Sequence, residues 1–287
     1  MCGSLQGHAP CASRGAGRAI AAVLGEHDAT VYVSGRSVRG QPTTDGLPGT
    51  IDAAAEEVTR RGGTGIAVRC DHANKHDVDL LFKRVREEQG RLEILVNNAW
   101  GGYERGLVRP AYFWNVPPRL WDAMFERGLK AHLLATYFAI PLMIEAVAAK
   151  ARTRTYQPRG LIVSTVAWDR DRYIGNFYDV AKHSIIRLLW GLAEELREHN
   201  VATVALAPGF MRTERVMSHA DGETDWKKIP WLTKSESPEY IGRAVAALAG
   251  DPHVMRKTGK AFYVGELARE YGFGDIDGRR VPPFSDC

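Results

Sequence analysis

Apolar and polar positions along this chain fall into two alternating patterns. Short runs of contiguous apolar residues, such as Ile94-Leu95-Val96 and Val201-Ala202-Thr203-Val204-Ala205-Leu206, are separated by longer stretches in which apolar residues recur with helical spacing. The runs predict strands at 29–34, 65–70, 92–99, 161–167 and 202–207. The spaced stretches predict helices at 50–61, 77–89, a long one ending near Lys150, and 177–199. Ser237-Pro238-Glu239 reads as a further helix start, with serine as cap and proline in the first turn, and Asp251-Pro252 stops that helix after about Ala249. Strands that are apolar at nearly every position are buried on both faces. The expectation is therefore an α/β fold, a Rossmann-like doubly wound parallel sheet with helices on both faces, whose ligands sit beyond the carboxyl ends of the strands. One domain over residues 1–287 is expected, with long loops at about 100–120 and 210–236 that the fold itself does not need.

Composition narrows this by exclusion. With 45% hydrophobic residues the chain can build a sizeable core. The formal charge of +4 comes from dispersed arginines without a basic, aromatic-interleaved run, which reads as a solvated surface and not as a nucleic-acid interface. Cys2, Cys11, Cys70 and Cys287 lie far apart with no C-x-x-C pair, so free thiols, no metal site and a reducing cytoplasm are expected. The early apolar run 19–24 is too short to span a bilayer, and no targeting or membrane segment is expected. His132 and His183 read as helix residues in ordinary packing.

The chemistry begins at Tyr178-Asp-Val-Ala-Lys182. Spaced i and i+4 on one helix face, the ammonium can stabilise a phenolate, so the phenol can exchange a proton with a carbonyl or alcohol oxygen near neutral pH. Near the N-terminus, Gly15 and Gly17 open a helix whose bare N–H groups and positive dipole end suit a pyrophosphate. Ala12-Ser-Arg-Gly15-Ala-Gly17, Ser34-Gly-Arg36, Cys70-Asp71, Asn97-Asn-Ala99, Tyr178-x-x-x-Lys182 and Pro208-Gly209 follow one another in the order seen in short-chain dehydrogenases/reductases, and the likeness covers residues 12 to about 270. The chain resembles that family, with an atypical N-terminus.

The resemblance implies a nicotinamide-dependent oxidoreductase acting on CH–OH or C=O groups. It implies cofactor contacts from Ser13, Arg14, Gly15, Gly17, Arg36, Asp71, Asn97, Ala99, Tyr178, Lys182, Pro208 and Gly209. Asp71 would meet the adenine amino group, Asn97 would steady the central strands, and Pro208-Gly209 would lie beside the nicotinamide carboxamide. Asp71 also reads as a local cap of the helix after it. No carboxylate ends the second strand, where one would bind the ribose hydroxyls of NAD(H). Arg36, the Ser34 and Ser37 hydroxyls and Arg14 stand there instead, which favours NADP(H) over NAD(H). Tyr178 would be the proton donor and Lys182 its tuner and ribose anchor. The family's serine falls on Thr165, 13 residues before Tyr178, with Ser164 adjacent, or on Ala167 when counted from the strand start. Alternation along a strand prevents Ser164 and Thr165 from both facing the site. Gly128-Leu-Lys-Ala131 stands where relatives carry Asn-x-x-Gly, so an asparagine-linked proton relay is absent or replaced by water.

Two further expectations concern the chain's departures and its loops. Pro10 and Cys11 stand where the family has an apolar first strand and its first glycine, so a shortened or irregular strand and weakened cofactor binding are expected. Aromatic residues crowd the loops near the nicotinamide end. Trp100, Tyr103, Trp168, Phe177 and Phe210 are the substrate candidates, lining a pocket for a bulky or aromatic carbonyl compound or, equally, packing loops on the sheet. A homodimer or homotetramer joined through the long helix and the helix of Tyr178 is implied by the family. A catalytically impaired nucleotide-binding or scaffold protein is the alternative, and a dehydratase or epimerase on the same scaffold is a third reading.

Overall fold

The computed structural model describes residues 6–10, 13–102, 112–151, 160–167, 175–220 and 222–283. Seven parallel strands form one sheet: β1 (Gln6–Pro10), β2 (Thr30–Gly35), β3 (Thr64–Arg69), β4 (Ile94–Asn97), β5 (Gly160–Thr165), β6 (Val201–Ala207) and β7 (Lys260–Tyr263). Their order is β3-β2-β1-β4-β5-β6-β7, so the winding reverses between β1 and β4, where a crevice opens above the carboxyl ends. This is the doubly wound fold that the apolar runs predict.

Side chains alternate across the sheet and build two cores. On one side Val31, Val33, Ile94, Val96, Val163 and Val204 pack against α1 (Gly15–Gly25), α2 (Ile51–Arg60), α8 (Pro238–Gly250) and α9 (Val264–Tyr271). On the other, Leu95, Ile162 and Ala205 meet α3 (Lys75–Gln89), α5 (Lys130–Ala151) and α6 (Asn176–Leu196). A short helix, α4 (Arg119–Met124), runs through a π turn at Phe125–Leu129 into α5. The stretch Arg119–Ala149 has the length and hydropathy to cross a bilayer, but half of its apolar window is buried inside the fold, as in a core helix. Another short helix, α7 (Glu214–Met217), follows β6.

The first strand forms despite Pro10. It pairs with β2 from Gln6↔Thr30 to Pro10↔Ser34, but with β4 only at Gly7↔Ile94 and His8↔Leu95. Pro10 is the last residue of the strand, where a missing ladder donor costs least. Cys11 lies outside the described residues. Strands predicted at 92–99 and 161–167 end earlier, at Asn97 and Thr165, although the N–H of Val166 still donates to the Leu206 carbonyl of β6 at 3.0 Å. The periodicity did not reveal β7 and α9, which are short and half polar.

Candidate active site at the carboxyl ends of the strands

Tyr178 and Lys182 lie one turn apart near the start of α6, both buried, at 8% and 6% exposure. Asp179 fixes that helix start by accepting the N–H of Gly175 at 3.1 Å. Burial pulls the Lys182 ammonium down from 10.5 to about 7, and it lies 3.6 Å from the centroid of the Trp100 ring. Trp100 in turn meets Tyr178 edge-on, ring centroids 5.6 Å apart. Met124, Tyr178 and Ala181 form a small apolar cluster backed by Trp100, Phe125, Ala167 and Phe177. Tyr178 and Lys182 thus share a buried, largely apolar surround in which a charge interaction is weakly screened.

The hydroxyls on β5 are directed elsewhere. Ser164 accepts from Asn97 Nδ2 at 3.3 Å, and the same amide donates to Thr136 Oγ1 of α5 at 2.8 Å, a buried link that ties β4, β5 and α5 together. Thr165 Oγ1 is 3.3 Å from the carbonyl of Asn97 and 3.2 Å from Oδ1 of Asn98. The residue packed into the Tyr178 cluster is Ala167. Of the two positions on which the family's serine can fall, Thr165 thus turns its hydroxyl to Asn97 and Asn98, and Ala167, which packs on the Tyr178 cluster, carries none. Gly128, where the resemblance would put the relay asparagine, lies in the π turn, and a Cβ there would come within 2.5 Å of the Trp100 ring. An indole, and not an amide side chain, fills that space.

On the far side of the crevice, α1 begins at Gly15 in the left-handed conformation (φ +54), and its N-cap residue Arg14 gives no side-chain cap. The N–H of Gly15 donates to the Glu214 carboxylate at 2.8 Å, so an anion already rests on the helix N-terminus. Ser13 and Gly17 are buried beneath it. Arg14 reaches across to the loop after β2, donating to the Thr44 carbonyl (2.8 Å) and Ser37 Oγ (3.2 Å). Ser34 is fully buried and hydrogen-bonds His72 Nε2 at 2.9 Å, so of the two hydroxyls only Ser37 joins the arginine. Arg36, Asp71, His72, Ala99, Trp100 and Arg127 are among the residues lining a small cavity of about 30 Å³. Asp71 accepts from Ala73 N at 3.0 Å in the turn before α3, but the cap of that helix is Asn74, whose side chain accepts from His76 N at 2.9 Å, so Asp71 is not the helix cap that its sequence position suggested. Ala99 gives its carbonyl to buried His132 (3.1 Å), whose own proton affinity falls to about 3 through burial and the Lys182 charge. The described residues hold no cluster of three or more potential metal ligands.

Pro208-Gly209 follows β6, and beneath Gly209 lies a carboxyl that the sequence pattern does not single out. Glu236 is buried and accepts from the Gly209 backbone, and a Cβ on Gly209 would lie 2.8 Å from its Oε2. Desolvation raises Glu236 from 4.5 to about 8, so the folded chain holds it protonated at neutral pH. The folded state therefore binds an extra proton between those values, and stability falls as pH rises from 4.5 to about 8. Glu236→Gln is expected to flatten this dependence and to raise the melting temperature at pH 9, where the wild-type acid must ionise in place. Melting curves of both proteins between pH 5 and 9 check this, and parallel curves contradict it. Around Glu236, Arg212 donates to the Ser235 carbonyl at 2.5 Å, stacks on Trp226 at 4.0 Å and pairs with Asp275 at 3.4 Å, fastening the 210–236 loop to the C-terminal segment.

Aromatic side chains form the outer wall. Phe177 meets Phe113 and Trp121 edge-on at 5.6 and 5.5 Å, and Trp121 stacks on Phe125 at 3.8 Å. Phe210 is 40% exposed and faces Trp231 at 6.0 Å. Tyr103 and Trp168 lie outside the described residues. Glu214 and Glu236 could not have been found by spacing, since each acts on a glycine far from it in sequence. The signal was chemical: a carboxylate just beyond Pro208-Gly209, and another between two serines ahead of a helix.

The profile of the short chain dehydrogenase family matches residues 11–224. The chain is 38% identical over 282 residues to "Dehydrogenase/reductase SDR family member 1" of Mus musculus, covering 95% of this chain and 83% of that protein. Its fold is similar to that of a short chain dehydrogenase from Mycobacterium thermoresistibile (TM-score 0.77, 24% identity, 97% of this chain and 91% of the other). It is also similar to L-sorbose reductase from Gluconobacter frateurii, solved with NADPH and L-sorbose (TM-score 0.71, 21% identity, 91% and 94% covered). With the glycine turn, the tyrosine–lysine helix and the crevice in the family's arrangement, the chain belongs to the short-chain dehydrogenase/reductase family of oxidoreductases.

Proposed function

We propose that this chain is an NADP(H)-dependent carbonyl reductase, or alcohol dehydrogenase in reverse, working as one dinucleotide-binding and catalytic unit on a bulky or aromatic substrate. The observation that carries this reading is the Tyr178–Lys182 pair, one turn apart and buried near the start of α6, which follows the carboxyl end of β5. A nicotinamide nucleotide fits the residues present: Gly15 offers an N–H that already attracts a carboxylate, and Arg14 with Ser37 offers a cationic, hydroxyl-bearing corner beside β2. When bound, that group supplies or accepts the hydride. Tyr178 gives its phenolic proton to the substrate oxygen, and Lys182 lowers the cost of the phenolate that remains. The partly exposed Phe177, Phe113 and Trp121 rings offer an apolar surface that suits a substrate ring. Ala167 brings no hydroxyl to this step, so the developing oxyanion meets fewer donors than the family pattern provides.

Cofactor choice is tested by titrating NADPH and NADH. NADPH is expected to bind at least tenfold more tightly, and Arg14→Ala and Arg36→Ala are each expected to lose about tenfold in NADPH affinity with little change for NADH. Tighter binding of NADH would overturn the assignment. A homodimer or homotetramer is supported by an apolar groove of about 770 Å³ over α5 and α6, lined by Leu133, Tyr137, Pro141, Leu188 and Leu192 among others. A second reading, a nucleotide-binding protein with impaired chemistry, draws on Ala167 and Gly128, which remove two polar groups that the family uses. It predicts that NADPH binds and is never oxidised by any carbonyl compound.

A further inference from the structure

We propose that Trp100 is a positioning residue of the proton-transfer pair, its indole face holding the Lys182 ammonium in the place that an asparagine-linked relay takes in relatives. This rests on the reading of Tyr178 and Lys182 given above. Three observations carry it. Lys182 Nζ sits 3.6 Å from the Trp100 ring centroid and 5.8 Å from that of Tyr178, so the cation lies against both rings. The same indole touches Tyr178 edge-on, so one ring braces both members of the pair. Space for it is cleared by glycine from two directions: a Cβ on Gly128 would fall 2.5 Å from Trp100 Cζ3, and one on Gly102 would fall 2.8 Å from its Nε1. The π turn at Phe125–Leu129 presents Gly128 to the ring, and Gly101 N donates to the carbonyl of Arg127 in that turn at 2.9 Å.

The physical need for such a partner is plain. Lys182 is buried, and burial is the influence that depresses its proton affinity; among the described residues no carboxylate offsets it. An aromatic face attracts a desolvated cation without introducing an anion that would compete with the phenolate for it. Tyr178 on its own helix and His132 from α5 are the nearest titratable groups to the ammonium, with His72, Asp71, Arg36 and Arg127 farther off around the small cavity beside Trp100. His132 and His72 are held neutral by burial, at about 3 and about 4, so neither adds charge near pH 7.

The test compares wild type with Trp100→Phe, Trp100→Leu and Gly128→Ala, whose added methyl displaces the ring from the opposite side. By NMR, the Lys182 ε-methylene signal, identified by its loss in Lys182→Arg, is expected upfield in wild type from the indole ring current. It should relax toward the ordinary lysine position in Trp100→Leu, with its titration midpoint lower by about one pH unit. Trp100→Phe should fall between the two, and Gly128→Ala should follow Trp100→Leu. In NADPH-dependent reduction the alkaline limb of the kcat/KM profile should move up by about one pH unit in Trp100→Leu, because Tyr178 loses the charge that favours its ionisation. An unshifted lysine signal in wild type, or equal midpoints in wild type and Trp100→Leu, overturns the proposal. If wild type reduces no carbonyl compound, the catalytic reading fails instead, while the NMR arm still decides whether Trp100 holds the ammonium.

Discussion

Tyr178→Phe is expected to lower turnover by about 10²–10⁴-fold while NADPH affinity stays within about threefold of wild type. The substitution removes one oxygen and leaves the ring in its edge contact with Trp100 and its place in the Met124–Ala181 cluster. Packing and stability should therefore change little, and a loss of activity reports the missing proton. Steady-state kinetics with NADPH oxidation as readout, beside a binding isotherm for NADPH, separate the two effects. Turnover retained within tenfold would remove Tyr178 from the chemistry. A parallel collapse of NADPH binding would show that the substitution had disturbed the crevice and not the proton transfer.

Ala167→Ser is expected to raise kcat by about ten- to a hundredfold, the reverse of the loss seen when one oxyanion donor is deleted. Ala167 packs on the Tyr178 cluster, so a hydroxyl added there is introduced beside the proton donor. Thr165 already spends its hydroxyl on Asn97 and Asn98, and Ser164 is bound into the Asn97–Thr136 link. Substituting Thr165 by valine should accordingly cost far less in kcat than the serine at 167 adds. An Ala167→Ser enzyme no faster than wild type would show that the step proceeds without a second donor. Because the change adds a single atom at a half-buried position, a failure to fold would be unexpected, and circular dichroism checks it.

The sheet was legible because its signal is dense. Strands such as Leu161–Thr165 and Val201–Ala207 are buried at every position, which only a sheet covered on both faces requires. Gly15, Tyr178 and Lys182 were legible for a different reason: each chemistry demands a residue type at a fixed local spacing. The hydroxyl at Thr165 was not resolved by counting, because a strand can end one or two residues early and turn its last side chains away. Trp100 read as a substrate contact, yet it packs inward against Lys182, and that follows from Gly128 and Gly102 rather than from anything adjacent to it. Glu214 and Glu236 could not be found by spacing, since their partners, the backbone N–H groups of Gly15 and Gly209, belong to every sequence equally.

The most direct test is to incubate the purified chain with NADPH and a panel of aliphatic, aromatic and polycyclic ketones and aldehydes near pH 7, following absorbance of the reduced nicotinamide and identifying the alcohol formed. Stoichiometric oxidation of NADPH with reduction of at least one bulky carbonyl compound, abolished in Tyr178→Phe, is the predicted result. NADPH that binds and stays reduced across the whole panel, in wild type and Ala167→Ser alike, would contradict it.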